Sequence, residues 1–183
     1  MSVETPRTLP RFQLTPFGSV IGLRSVPGLV AIVAAQRGWA VAAGVLLLVA
    51  VAFDVLADSL ADRRGWERGP SDVQIEGFVD FVCFGWAPFQ LALAVSESAW
   101  VVAFGLLFVV AGGFRLARFN VEGLREGGYP GLPITYAGVV VPVAAGLGSI
   151  LDALSPGPVL SLTFALLAAA MASGRFVTPR VSL

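Results

Sequence analysis

The chain has 183 residues, 56% of them hydrophobic, with 12 basic and 12 acidic residues, no histidine and a formal net charge of zero. A mean hydropathy of +0.83 is too high for an ordinary soluble domain. The balanced charge excludes a nucleic-acid partner, and the absence of histidine excludes imidazole-based metal binding or acid–base chemistry.

Residues 1–16 carry Arg7 and Arg11 but no apolar core of signal-peptide length, and so read as a short tail. Six apolar segments follow, at about 17–36, 39–57, 77–95, 98–116, 134–152 and 158–174. They predict an all-α integral membrane protein, a six-transmembrane-helix bundle. It forms one membrane domain over 17–174 between the tails 1–16 and 175–183. All 12 basic residues are arginine; ten fall in the termini and the second and fourth connections, one (Arg37) in the first connection, and one (Arg24) inside the first span. The positive-inside rule then predicts a multi-pass cell-membrane protein with both termini in the cytoplasm.

Arg24 is costly within a span unless it is paired or reaches the headgroups. A phosphate or acidic partner and snorkelling both remain open for it. The second span is apolar as far as Asp54, where the character of the chain changes. Seven of the 12 acidic residues lie between Asp54 and Asp80. Asp54, Asp58 and Asp62 form one run with a spacing of four, and Asp72, Glu76 and Asp80 form another, so each run shares a helix face. Gly65, Gly69 and Pro70 supply a turn between them. A hairpin here predicts the nested pairs Asp54/Asp80, Asp58/Glu76 and Asp62/Asp72. Carboxylates about 6 Å apart repel by roughly 3 kcal/mol at an effective dielectric of 20, so the hairpin calls for cations or protons between them. With no histidine, a metal here has oxygen ligands.

The third span continues with Cys83, read as packing, and with Gly85 and Pro88, which permit a kink or close approach. The fourth ends with Arg115 and Arg118 on one helix face, suited either to a phosphate or carboxylate or to anchoring at the membrane surface. A turn rich in Gly and Pro follows before the fifth span. The last two spans show no chemistry of their own.

The stretch from Asp54 to Asp80 resembles the signature of the CDP-alcohol phosphotransferases, Asp-x2-Asp-Gly-x2-Ala-Arg-x8-Gly-x3-Asp-x3-Asp. Counted back from Asp80, the register gives Glu76, Arg63 and Asp58 without a gap. The run Cys83-Phe84-Gly85-Trp86-Ala87-Pro88, the segment Arg115-Leu116-Ala117-Arg118-Phe119-Asn120 and the turn Gly131-Leu132-Pro133 are similar to those of the phosphatidylserine synthase branch, which includes archaetidylserine synthases. The resemblance implies transfer of a phosphatidyl or archaetidyl group from a CDP-activated lipid to the hydroxyl of serine, with release of CMP. It implies two divalent cations, magnesium or manganese, on Asp54, Asp58, Glu76 and Asp80, with Asp80 as the base on the incoming hydroxyl. Substrate contacts are expected from Ser59, Arg63, Arg115 and Arg118, in a homodimer embedded in membrane lipid.

The sequence departs from the signature at several places. Val55 stands where the first aspartate is expected, with Asp54 one residue earlier; Ser59 replaces glycine, Asp62 alanine, Asp72 glycine and Glu76 aspartate; and an asparagine of the first span falls at Arg24. Asp62 and Asp72 are expected to put negative charge where small residues leave room for the nucleotide. These departures also fit a different class of protein, a non-catalytic membrane paralogue serving as a lipid- or partner-binding subunit. A third reading, an acid-lined ion transporter, accounts for the carboxylates but not for the Arg115–Asn120 segment or the Gly-Leu-Pro turn.

Overall fold

Proline at the first helical position and a hydroxyl just before it begin the first helix: Thr15 Oγ1 accepts the backbone N–H of Gly18 at 3.1 Å, and Pro16 gives up no intrahelical bond. The computed structural model describes residues 15–123, 128–150, 155–173 and 177–179. Arg7, Arg11, Arg125, Asp152, Arg175 and Arg180, and with them most of the two predicted tails, lie outside the described residues.

Helix α1 spans Pro16–Gln36 and α2 spans Ala40–Arg64. The third long helix, Pro70–Val95, consists of α3 (Pro70–Asp80), a π-helical segment (Phe81–Trp86) and α4 (Ala87–Val95). Then come α5 (Ala99–Glu122), a 3₁₀ turn (Ile134–Tyr136), α6 (Ala137–Ile150) and α7 (Pro156–Ala172). The π segment follows from Pro88, which has no N–H to donate back along the helix. The ladder widens just before it, and the N–H of Ala87 bonds the carbonyl of Val82.

The four long helices, Pro16–Gln36, Ala40–Arg64, Pro70–Val95 and Ala99–Glu122, are long and apolar enough to cross a membrane. The last two apolar helices are shorter. Large apolar side chains also face outward, among them Leu23, Val41, Leu56, Phe114 and Leu162, an exterior suited to hydrocarbon.

The core joins all the helices through Phe17 and Ile21 of α1, Ala50 of α2, Val79 of α3, Phe84, Phe89, Phe108, Ile134, Val141 of α6, Phe164 and Met171. Close approach of α1 to the π segment depends on Gly28, where a Cβ would overlap the Cys83 side chain. Cys83 is buried and its thiol points at the Ser25 carbonyl, 3.6 Å away, in keeping with a packing role.

Among the described residues the one departure from helix and short connections is a small ribbon. Gly128–Pro130 pairs antiparallel with Val177–Pro179, Tyr129 opposite Thr178. Thr178 Oγ1 donates to the Gly131 carbonyl at 2.8 Å. Gly131 has φ +76°, and a Cβ there would lie 2.8 Å from the Ser173 carbonyl oxygen, so the Gly-Leu-Pro turn requires its glycine on two counts. The fold is all-α as expected, with this ribbon a local addition to it. Three-residue strands are too short to show an alternating pattern in sequence.

Candidate functional site

The acidic hairpin forms, and it runs further into regular helix than its hydropathy suggests: α2 continues to Arg64 and α3 starts at Pro70. Gly65 ends α2 in the left-handed conformation (φ 62°), with the N–H of Trp66 returning to the Ala61 carbonyl at 3.0 Å. Gly69 and Pro70 begin α3 as cap and first helical residue.

Two of the three predicted carboxylate pairs come together, each through an arginine. Arg24 of α1 reaches both Asp54 and Asp80, with Nη1 on Asp54 Oδ1 and Nη2 on Asp80 Oδ1, the latter at 2.8 Å. Arg68, from the turn between α2 and α3, joins Asp58 Oδ1 at 2.9 Å to Glu76 Oε1 at 3.3 Å. Pairing thus decides between the two readings of Arg24. It does not snorkel; it is only 4% exposed and bound to both inner aspartates.

The third pair does not form around the site. Asp72 is 0% exposed and turns toward the start of α1, where Thr15 Oγ1 lies 2.9 Å from each carboxylate oxygen and the N–H of Gly69 donates to Oδ2 at 2.8 Å. It ties together the N-termini of α1 and α3, whose positive dipole ends favour a carboxylate. Asp62 is exposed. Neither residue lines the cavity described below. Asp72→Ala is expected to lower stability by about 1–2 kcal/mol through the lost cap. Thermal unfolding in detergent will measure that loss, and affinity for CDP should stay within about twofold.

One cavity of about 460 Å³ opens at this end of the bundle. Asp54, Asp58, Glu76, Asp80 and Arg68 form one wall; Arg115, Phe119 and Asn120 of α5 form the facing wall; Thr135, Tyr136 and Thr178 close the rim. Gly77 lets the walls meet, since a Cβ there would come within 3.0 Å of the Asn120 side chain. The cavity end gathers the starts of α1 and α3 and the ends of α2 and α5, together with Arg63, Arg64, Arg68, Arg115 and Arg118. Among the described residues the opposite end carries Arg37.

The proposed substrate residues divide. Arg115 is 5% exposed, lines the cavity and lies over the Phe119 ring at 5.3 Å. Arg118 turns to the end of α7 and donates to the carbonyls of Met171 (3.0 Å) and Ala172 (3.3 Å), an anchoring contact that suits a cation at a helix C-terminus. Ser59 is half-buried and Arg63 exposed, and neither lines the cavity. At 100° per residue Ser59 leaves the Asp54/Asp58 face, and Arg63 lies about 140° around the helix from Asp58. Arg68, Tyr136 and Thr178 are cavity residues that the sequence did not single out as site residues. The contiguous Arg115–Asn120 motif was the signal available for Asn120 and Phe119.

The donor chemistry suits hard divalent cations, being all carboxylate oxygen. The arrangement differs from the implied pair of cations. Among the described residues no group of three acidic side chains is placed to hold a metal, because a guanidinium stands within each pair. The two guanidiniums are held unequally. The Arg24 side chain is 3% exposed, and withdrawing it would leave two half-buried carboxylates uncompensated, at a cost of about 3–5 kcal/mol. The Arg68 side chain is 32% exposed and its pairs are surface pairs, worth about 0–1 kcal/mol each.

No protein-family model matches the chain, and no curated protein matches it.

Proposed function

We propose that this protein is a membrane lipid-headgroup transferase. It moves a phosphatidyl or archaetidyl group from a CDP-activated lipid to the hydroxyl of serine and releases CMP. The observation that carries this reading is the convergence of Asp54, Asp58, Glu76 and Asp80 with Arg115, Phe119 and Asn120 on one cavity at the end of an apolar bundle. Two motifs distant in sequence, both similar to the same enzyme family, meet there. In this reading the bundle has six spans and the cavity end, rich in arginine, faces the cytoplasm. The lipid tails stay among the apolar helices while CDP and serine arrive from water.

Arg115 holds the negatively charged phosphate or serine carboxylate; its planar fork and buried setting suit either. Asp80 receives the proton. With Oδ1 fixed by Arg24, Oδ2 takes the serine hydroxyl proton as the serine oxygen bonds the lipid-linked phosphorus and the bond from that phosphorus to the CMP oxygen breaks. The divalent cations, magnesium or manganese, that the resemblance implies on Asp54, Asp58, Glu76 and Asp80 would neutralise charge on the pyrophosphate.

Membranes containing the protein, given a CDP-activated lipid, labelled serine and manganese, are expected to yield labelled lipid and CMP. Absence of labelled product, alongside an active relative assayed in parallel, would reject serine transfer.

The neutralisation of both carboxylate pairs by arginine favours a second reading, a lipid- or partner-binding subunit without catalysis. Calorimetry separates the two. Tight binding of CDP supports the transferase, and metal binding without CDP binding supports the subunit.

A further inference from the structure

We propose that a groove between α2, α4 and α6, at the end of the bundle opposite the carboxylate cavity, holds one acyl chain of a zwitterionic phospholipid, whose phosphate meets Arg37 and whose ammonium meets Glu97. The inference rests on the bundle lying in a membrane and not on the transferase reading.

The groove has a volume of about 340 Å³ and is lined by eleven residues, every one of them glycine, alanine, proline or aliphatic. Its walls are the start of α2 (Ala40 to Leu48), the end of α4 (Leu91 and Val95) and the second half of α6 (Pro142 to Gly146). Along α2 that stretch rises about 12 Å, close to the depth of one leaflet's hydrocarbon. Two glycines make the hollow. A Cβ on Gly146 would meet nothing within 4 Å, and one on Gly44 would meet only Pro142 and Leu91, at 3.6 and 3.9 Å. Toward the cavity the seam between α2 and α6 is closed, because a Cβ on Gly138 would come 2.6 Å from Val51 Cγ2. Groove and cavity share no lining residue, so the groove belongs to the far leaflet and not to a lipid held at the cavity.

Hydrocarbon fills such a hollow, since the bilayer core offers no water and an empty groove would forfeit dispersion contacts. Its eleven residues fall well short of the roughly 20–30 a side of a stable protein interface, which argues against a second copy as the occupant. The mouth selects the headgroup. Arg37 stands three residues before Ala40, and Glu97 two residues after Val95, so two of the walls end beside opposite charges. Both are exposed, and among the described residues neither is in an ion pair, with the other or with a third group. Trp39 and Trp100, 62% and 69% exposed, place the same end at a membrane surface. A headgroup carrying both a phosphate and an ammonium complements Arg37 and Glu97 together; an anionic one complements Arg37 alone.

The test counts bound lipid. The full-length protein, delipidated in detergent, is mixed with equal amounts of phosphatidylethanolamine and phosphatidylglycerol and measured by native mass spectrometry. The wild-type chain is expected to hold one phosphatidylethanolamine in preference to phosphatidylglycerol. Gly44→Leu/Gly146→Leu, which fills the groove, is expected to lose it. Arg37→Gln and Glu97→Gln should each weaken it by roughly two- to fivefold, the range of an exposed ion pair, with Glu97→Gln also erasing the preference. Should the leucine variant fail to fold, the two surface variants still decide.

Retention of the lipid by the folded leucine variant, unchanged affinity in both surface variants, or no preference in the wild type would overturn the inference. Displacement of the bound lipid by a CDP-activated lipid would also overturn it, by giving the groove to the tail of a lipid held at the cavity. So would a lipid-free wild-type dimer that the leucine variant breaks, which would give the groove to a second copy.

Discussion

Arg24→Leu is expected to destabilise the protein by about 3–5 kcal/mol, the largest stability effect of any single substitution at the site. The leucine would be at home in an apolar helix, so the cost does not come from Arg24's own position. It comes from Asp54 and Asp80, which Arg24 holds on two different helices. Without the guanidinium, two carboxylates face each other with no cation between them in a half-buried setting. Replacing the aspartates at the same time, in an Arg24→Leu/Asp54→Asn/Asp80→Asn variant, should recover most of the loss, because neutral amides carry no such repulsion. Thermal unfolding of the single and triple variants in the same detergent measures both effects. A single variant as stable as the wild type would mean that the pairs contribute nothing, and the role given to Arg24 would fall with them.

If the protein is the transferase proposed above, Asp80→Asn is expected to lower headgroup transfer by about 10²- to 10⁴-fold, the range over which a positioned general base acts. An amide of the same shape accepts no proton from serine but still presents an oxygen to Arg24, so the fold should persist. The effect belongs in kcat, since the hydroxyl proton is lost in the transition state rather than on binding. Labelled-serine kinetics at saturating CDP-lipid will show it. If kcat is retained and only KM rises, Asp80 binds substrate and the base is elsewhere.

These two predictions pull one residue in two directions. Asp80 is anchored by a buried arginine and also lines the cavity. Anchoring one oxygen orients the other, which is how a side chain is held within the small tolerance that proton transfer demands. On the transferase reading Arg24 is thus a positioning residue for Asp80, and an arginine within a span serves the site's geometry.

Much of the architecture was legible from local sequence. Apolar runs of spanning length specify helices because a backbone in hydrocarbon must satisfy its hydrogen bonds internally. Gly65, Gly69 and Pro70 specify the hairpin through their backbone preferences, and a four-residue spacing puts Asp54 beside Asp58 and Glu76 beside Asp80 on their helices. Hence the pairs Asp54/Asp80 and Asp58/Glu76 could be read before any fold was known.

What only the tertiary structure decided is what lies between those pairs and which acids belong to the site at all. Spacing alone treats Asp62 and Asp72 as equal members of the two stripes. The packing of α1 against α3 gives Asp72 to Thr15 and Gly69 instead and leaves Asp62 outside. The same packing brings Arg24, 30 residues before Asp54 and 56 before Asp80, into contact with both. Arg118 has the right spacing to share a ligand with Arg115, yet the end of α7 claims it. Thr15 for Asp72, the two aspartates for Arg24 and the α7 carbonyls for Arg118 all come from distant parts of the chain. Periodicity fixes which face of its own helix a residue occupies; it carries no information about which other helix will lie against that face.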